Sequence, residues 1–433
     1  MSVLLIVLAT GASISTAGTE LPVTLLDLPH NVQGPGTSMQ QSLELSYSVQ
    51  RLGLLGTQKL ATWALPERPV LRTGLGLTAA SLLPQLGVST WMHEEWHRTP
   101  MSRHGVSNMN SYYDPATWSS AAAGVHLVTD DDLAWLKREH PADLVRAHAA
   151  GMESEHALVR FAGGQLLRQA DTHIIGPLYT AGSWMTPTLI TAEVDNISYL
   201  IYCGPPSDYP PSDEYEPSEE MRDFTGWDGD AWAYDLILPD EPYAERGVHP
   251  SGDGIDRYRV WSDLPAEAQD VLTRFTRLYW LNFVNPNLLG INAFAIGEYK
   301  MNAAAGVMWT PWGYDVGGRA RLLTGDVMWS TELSVGVNRD LRLPSLSVGA
   351  QGLPLSDDLS LDLSLAAWMQ PANLRWDDTH ARAGGRVGLG VRYALRPWIA
   401  LRAEGMAKSQ GWVLGEVALE PAVAGRLGLD FSL

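Results

Sequence analysis

Residues 359–365 read LSLDLSL, and this run of alternating apolar and polar residues decides the fold class of the C-terminal third of the chain. Successive side chains of a β-strand point to opposite faces, so the four leucines share one face, and the serines and the aspartate share the other. The same alternation returns in residues 387–391 and 427–433. The pattern predicts two-faced strands of an antiparallel sheet.

The alternating segments are about ten residues long, as in a transmembrane β-barrel, and turn signals separate them. The turn signals are TPWG at 310–313, NRD at 338–340 and QPAN at 370–373. They leave room for about eight strands between residues 300 and 433. A soluble β-sandwich or barrel also has alternating strands, but the Gly-, Ser- and Ala-rich polar face favours the membrane barrel.

Six tryptophans near segment ends fit an interfacial girdle: Trp309, Trp312, Trp329, Trp368, Trp398 and Trp412. The ending, Phe431-Ser432-Leu433, resembles the terminal strand of bacterial outer-membrane proteins, with Leu in place of the final aromatic residue. The resemblance implies a place in the bacterial cell envelope, in the outer membrane. The amphipathic segment 41–49, QSLELSYSV, is a candidate for a further strand.

Residues 93–97 read HEEWH, which matches the HExxH zinc motif. Residues four apart lie above one another on a helix, so His93 and His97 can bind one Zn²⁺ ion while Glu94 stands beside the water to be activated. The segment 73–92 before the motif carries no charge. Two histidines and two glutamates at the end of an apolar helix would be costly to bury without a metal, which disfavours an accidental match.

A catalytic zinc needs a third protein ligand. In the metzincin arrangement this would be a histidine six residues after His97, but residue 103 is Arg, and His104 misses the position by one. A block of aspartates at 223–235 could also bind a cation, although capping and turn roles beside glycine are the favoured interpretation.

Residues 148–156 read HAAGMESEH on a second predicted helix. Here the chain resembles the gluzincin class of HExxH metallopeptidases, in which a second helix supplies a glutamate to the metal. The resemblance implies Glu153 as the third zinc ligand, with Glu155 as the alternative and His156 as a more distant one. Glu94 would then be the catalytic general base. The small residues 149–151 would let the two helices approach closely.

Charge and cysteine content limit the function further. A net charge of −19 argues against nucleic-acid binding, which needs a basic surface. The single cysteine, Cys203, excludes an intramolecular disulfide and a cysteine-based zinc cluster. Residues 1–18 resemble the end of a secretory signal peptide, although a positively charged start is missing.

The sequence therefore predicts an α+β fold in which a helical zinc-metallopeptidase part precedes an antiparallel, transmembrane β-barrel. Residues 1–18 would be a signal peptide, 19–297 the mainly helical region with an acidic, proline-rich loop at 204–220, and 298–433 the barrel. The predicted function is a membrane-associated zinc metalloendopeptidase that hydrolyses peptide bonds of a polypeptide substrate with a zinc-activated water. A non-enzymatic outer-membrane barrel, structural or for transport, is the alternative, with a structural or accidental HExxH.

Overall fold

A computed structural model describes residues 20–29, 36–68, 71, 88–114, 124–169, 208, 216, 218–289, 291 and 293–432. The candidate signal peptide and most of the acidic loop at 204–220 lie outside the described residues. Within them, helices and a large antiparallel sheet share one interior.

The sheet has ten strands in the order β1-β12-β11-β10-β9-β8-β7-β6-β5-β4. Their bounds are β1 Glu20–Leu28, β4 Phe294–Ile296, β5 Tyr299–Thr310, β6 Gly313–Thr324, β7 Val327–Val337, β8 Arg342–Pro354, β9 Leu359–Pro371, β10 Ala381–Arg396, β11 Ile399–Lys408 and β12 Ala422–Ser432. A separate pair, β2 Met109–Asn110 and β3 Val125–His126, forms a two-stranded sheet. Strands that follow one another along the chain from β4 to β12 are also neighbours in the sheet, so it is a meander.

The C-terminal strands lie where the alternation predicts them. The runs at 359–365, 387–391 and 427–432 fall in β9, β10 and β12. The predicted turn at 310–313 closes a tight hairpin, because Thr310 pairs with Gly313. The strand prediction for this third of the chain is therefore confirmed.

The two faces of the sheet invert the pattern of a water-soluble protein. Large apolar side chains on the outer face are exposed, including Leu333 at 62% and Leu365 at 55%. Charged side chains such as Arg426 and Asp430 point inward and are buried. Apolar-out and polar-in alternation is the arrangement of a strand that faces lipid.

The predicted tryptophan girdle is wrong for most of its members. Trp309, Trp312, Trp368 and Trp412 are buried, whereas Trp329 and Trp398 are exposed. The buried ones point to the inner side, where Trp309 stacks on Trp232 at a ring-centroid distance of 5.2 Å. They fill the space between the sheet and the helices.

The described chain has six helices: α1 Met39–Ala64, α2 Ser89–Ser102, α3 Asp130–Glu139, α4 Pro141–Gln169, α5 Asp228–Ile237 and α6 Ala266–Tyr279. Of these, α1, α4 and α6 pack directly against the inner side of the sheet. Short 3-10 helices accompany them at Ser111–Tyr113, Tyr243–Arg246, Trp261–Asp263, Trp280–Phe283 and Pro286–Leu289. Among the described residues, none of the helices is both long and apolar enough to cross a membrane.

The segment 41–49, expected to be a strand, is helical and lies in α1. Its start is fixed by a capping box, in which the Ser38 hydroxyl accepts from the N–H of Gln41 and the Gln41 side chain accepts from the N–H of Ser38. This local cap and the packing of one helix face against β1 outweigh the period-two pattern.

Side chains of the helices reach strands far apart in the sheet. Arg160 of α4 forms an ion pair with Glu332 of β7 at 2.7 Å. Arg146 of the same helix donates to the carbonyl of Glu416, in the loop between β11 and β12. The sheet therefore wraps around the helices, and α4 is held from both sides.

Candidate metal centre

Two helices bring three potential metal ligands to one point. Helix α2 carries His93 and His97, and the first residue of α5 is Asp228. The Oδ2 atom of Asp228 lies 3.1 Å from Nε2 of His93 and 3.1 Å from Nε2 of His97. These three residues form what we call the metal cluster, and their ligand atoms lie within 4.8 Å of one another.

Helix α4 passes directly beneath the metal cluster. A Cβ atom added to Gly151 would lie 2.2 Å from Nε2 of His93 and 2.3 Å from Nε2 of His97. No side chain fits there, so glycine is required for the approach of α4 to α2. The small-residue segment 149–151 predicts this close approach, and the structure shows it.

The second nitrogen of each imidazole faces an oxygen atom. Nδ1 of His97 donates to the carbonyl of Ala147 at 2.5 Å. Nδ1 of His93 lies 3.4 Å from Oε1 of Glu155. Such outer partners orient metal-binding histidines and leave the Nε2 lone pair for the ion. Glu155, the alternative third ligand of the sequence analysis, lies behind His93 in this outer position.

The cluster fits a metal ion. Nε2 of His97 is buried and has no hydrogen-bond partner among the described residues, although Asp228 lies close by. Buried ring nitrogens are normally satisfied, so a nitrogen without a hydrogen bond at the meeting point of three donors indicates a missing ligand. Two imidazoles and one carboxylate, with no cysteine, are a donor set that Zn²⁺ accepts.

The electrostatics of the metal cluster also favour a positive charge at its centre. Burial alone would raise the pKa of Asp228, but His97 and His93 outweigh it and lower that pKa below its usual range. Burial would lower the pKa of His93, but hydrogen bonds with Asp228 and Glu155 raise it well above 6.5. A cation between the carboxylate and the rings, either a proton or a metal ion, is thus stabilised.

Glu94 lies beside the metal cluster on α2 and is buried. Burial raises the pKa of Glu94 to about 7, even though His97 and His93 act to lower it. A carboxylate with such a pKa can accept a proton near neutral pH. The catalytic role of Glu94 stays a prediction, and this raised pKa is compatible with it.

Glu153, the predicted third ligand, does not meet the histidines. Its Oε1 accepts from Arg146 Nη2 at 2.8 Å and from the N–H of Gly415 at 3.0 Å. Helical phase is the physical reason: Gly151 faces the imidazoles, so a residue two positions later points to the opposite side and one four positions later returns. Glu153 instead ties α4 to the loop between β11 and β12.

His156, the more distant candidate, is also occupied elsewhere. Its Nε2 lies 2.8 Å from the hydroxyl of Tyr279 in α6. Burial, assisted by Arg160, lowers the pKa of His156 to about 3, so this imidazole is neutral. It contributes to the packing of α4 against α6.

Asp228 is the residue that sequence reasoning missed as a ligand. It lies in the aspartate block at 223–235, for which capping was the favoured interpretation, and it does begin a helix. It is separated from His93 by 135 residues. The only sequence signal was the density of aspartates in an otherwise aromatic, apolar block, and that signal does not single out position 228.

None of the protein-family models matches the chain, and no curated protein matches its sequence. Among solved structures, a NanC porin is similar with a TM-score of 0.25 and 13% identity over 33% of this chain and 76% of that chain. A loop-deletion mutant of OmpT, an outer-membrane protein of Vibrio cholerae, is similar with a TM-score of 0.24 and 16% identity over 33% of this chain and 51% of that chain. Both likenesses are distant.

The sheet indicates where the protein is located in the cell. Ten antiparallel strands with an apolar, exposed outer face and a charged inner face point to an outer-membrane location, as the sequence predicts. Helices pack on the inner, charged face of this ten-stranded sheet.

Proposed function

We propose that the protein is an outer-membrane zinc metallopeptidase of the HExxH type. The observation that carries the proposal is the convergence of His93, His97 and Asp228 on one point, with Glu94 on the same helix. The third ligand would be an aspartate from α5, which departs from the glutamate of the gluzincin pattern. The substrate class would be polypeptides that reach the membrane.

Each residue of the site would have a separate role. His93, His97 and Asp228 would hold zinc, which when bound supplies Lewis acidity and lowers the pKa of water. Glu94 would take a proton from the attacking water and return it to the leaving amine. Glu155 and the carbonyl of Ala147 would keep the two imidazoles in the orientation for metal binding.

Access to the site is uneven. The side chains of His93 and Glu155 are 12% and 11% exposed, whereas those of His97 and Asp228 are 1% and 4% exposed. A peptide would therefore approach from the side of His93 and Glu155.

The test is peptide hydrolysis by the purified full chain in detergent, with a mixture of quenched fluorescent peptides. Glu94→Gln should keep zinc and lower the rate by about 10²–10⁴-fold, the usual contribution of a general base. Glu245→Gln, at an exposed position, is the matched control and should leave the rate unchanged. A zinc-loaded wild type that cleaves no peptide, or a Glu94→Gln variant as active as wild type, would refute the proposal.

One observation favours a second candidate, a non-enzymatic membrane barrel with a structural metal. Structural zinc sites are closed, and His97 and Asp228 are almost fully buried. In that case zinc removal would lower the unfolding temperature of the chain, and Glu94→Gln would have no effect on any measured property. The same preparation therefore distinguishes the two candidates.

A further inference from the structure

A second group of potential metal ligands lies near the end of α2. His104 follows that helix, His140 joins α3 to α4, and Asp143 lies in the first turn of α4. Their ligand atoms lie within 4.8 Å of one another, and Nε2 of His104 is 3.2 Å from Oδ2 of Asp143. His104 lies seven residues after His97, which corresponds to about 10 Å along a helix axis. The group is thus separate from the metal cluster.

Two atoms of this group are buried and have no hydrogen bond within the described part of the chain. They are Nε2 of His104 and Oδ1 of Asp143. Asp143 is only 7% exposed, so water does not readily satisfy its carboxylate. Buried polar atoms normally have partners, so two unsatisfied ligand atoms within one group of three potential metal ligands indicate that a ligand is missing there.

Aromatic packing fixes the orientation of the two imidazoles. The rings of His104 and His140 stack at a centroid distance of 4.0 Å, and Trp135 packs edge-on against both. The ring nitrogens are therefore held in place beside the carboxylate of Asp143.

Arg103 forms an ion pair with Asp143 but no hydrogen bond with its carboxylate. Nη1 of Arg103 lies 3.8 Å from Oδ1 of Asp143, beyond hydrogen-bond distance, and its other nitrogen pairs with Glu420. The partial exposure of His140 leaves a side from which an ion and a water molecule can enter.

We propose that His104, His140 and Asp143 form a second zinc site with two imidazoles, one carboxylate and water as ligands. The ion would join the end of α2 to the α3–α4 junction. Because α2 and α4 also carry the HExxH motif and Gly151, the second site would hold these two helices in register. This inference stands on residues that the proposed function does not use.

The experiment is zinc analysis of the purified full chain after dialysis against zinc, with wild type, His140→Ala, His140→Gln and His93→Ala compared. Wild type should hold two zinc ions per chain, and either His140 variant should lose one. The exposed His380→Ala is the matched control and should keep both. Circular dichroism establishes that each variant is folded.

The outcomes separate this site from the metal cluster. Loss of one ion with His140→Gln but not with His380→Ala supports the second site, whatever His93→Ala does. A single ion that His93→Ala removes and the His140 variants retain overturns the second site and leaves the proposed function intact. A chain that binds no zinc overturns both.

Discussion

The inner face of the sheet and the metal cluster both bury charged groups, but they compensate that charge differently. On the sheet, Arg402 pairs with Glu44 at 2.6 Å and Arg426 pairs with Asp27 at 3.0 Å. In the metal cluster, two imidazoles share one carboxylate oxygen, and no described residue forms a hydrogen bond with Nε2 of His97. The Arg402–Glu44 pair holds α1 against the sheet and the Arg426–Asp27 pair joins β12 to β1, whereas the unsatisfied nitrogen of the metal cluster indicates a place for a ligand.

Gly151→Ala is the substitution expected to disturb the metal cluster most. The new Cβ would lie 2.2 Å from Nε2 of His93, so either an imidazole or α4 must move. We expect zinc affinity at the His93 site to fall by more than the roughly 100-fold that loss of an outer-shell partner costs. Isothermal titration with zinc measures this affinity.

Gly56→Ala, within α1, is the matched control, because no atom of the described residues lies within 4 Å of a Cβ added there. It should leave zinc binding unchanged and stabilise the helix slightly, by about 0.5–1 kcal/mol. Wild-type zinc affinity in Gly151→Ala would show that the imidazoles are not packed against α4 as described.

The compensated pairs are tested by Arg402→Ala. Glu44 is fully buried, so removal of its cation should lower the free energy of unfolding by about 3–5 kcal/mol. Urea unfolding in detergent micelles measures the change. Arg375→Ala is the control: its partner Asp240 is highly exposed, and the loss should be only about 0–1 kcal/mol. Equal losses in the two variants would mean that the Arg402–Glu44 pair is not shielded from solvent as described.

A substitution on the outer face of the sheet should have a smaller effect on the free energy of folding. Leu365→Arg places a charge on a face that contacts lipid, so the free energy of folding into vesicles should become less favourable by about 2–4 kcal/mol. Leu355→Arg, at an equally exposed position in the turn between β8 and β9, should cost little. If both variants fold equally well into vesicles, the exposed leucines of β9 do not face lipid.

The sheet was largely predictable because alternation is a local property of each strand. The run at 359–365 specifies a two-faced strand without reference to the rest of the chain. Strand β1 was missed, since its register shifts between Thr24 and Leu26 where it pairs with β12. This irregularity leaves the adjacent Leu25 and Leu26 both exposed and removes the strict alternation from the sequence.

Only the part of the site that lies on a single helix was predictable from the sequence. HExxH contains its own spacing, so His93, Glu94 and His97 were identified from the sequence. The third side chain depends on how α2, α4 and α5 pack. The phase of α4 excludes Glu153, and Asp228 arrives from a segment that no local pattern connects to α2.

The identity of the third ligand tests the central claim most directly. The zinc that wild type holds and His93→Ala lacks is the zinc of the metal cluster. Elemental analysis measures this zinc in Asp228→Asn, Glu153→Gln and the control Asp230→Asn, which lies on the same helix as Asp228. We predict that Asp228→Asn loses this zinc, whereas folded Glu153→Gln and Asp230→Asn keep it. Retention in Asp228→Asn together with loss in folded Glu153→Gln would contradict the account.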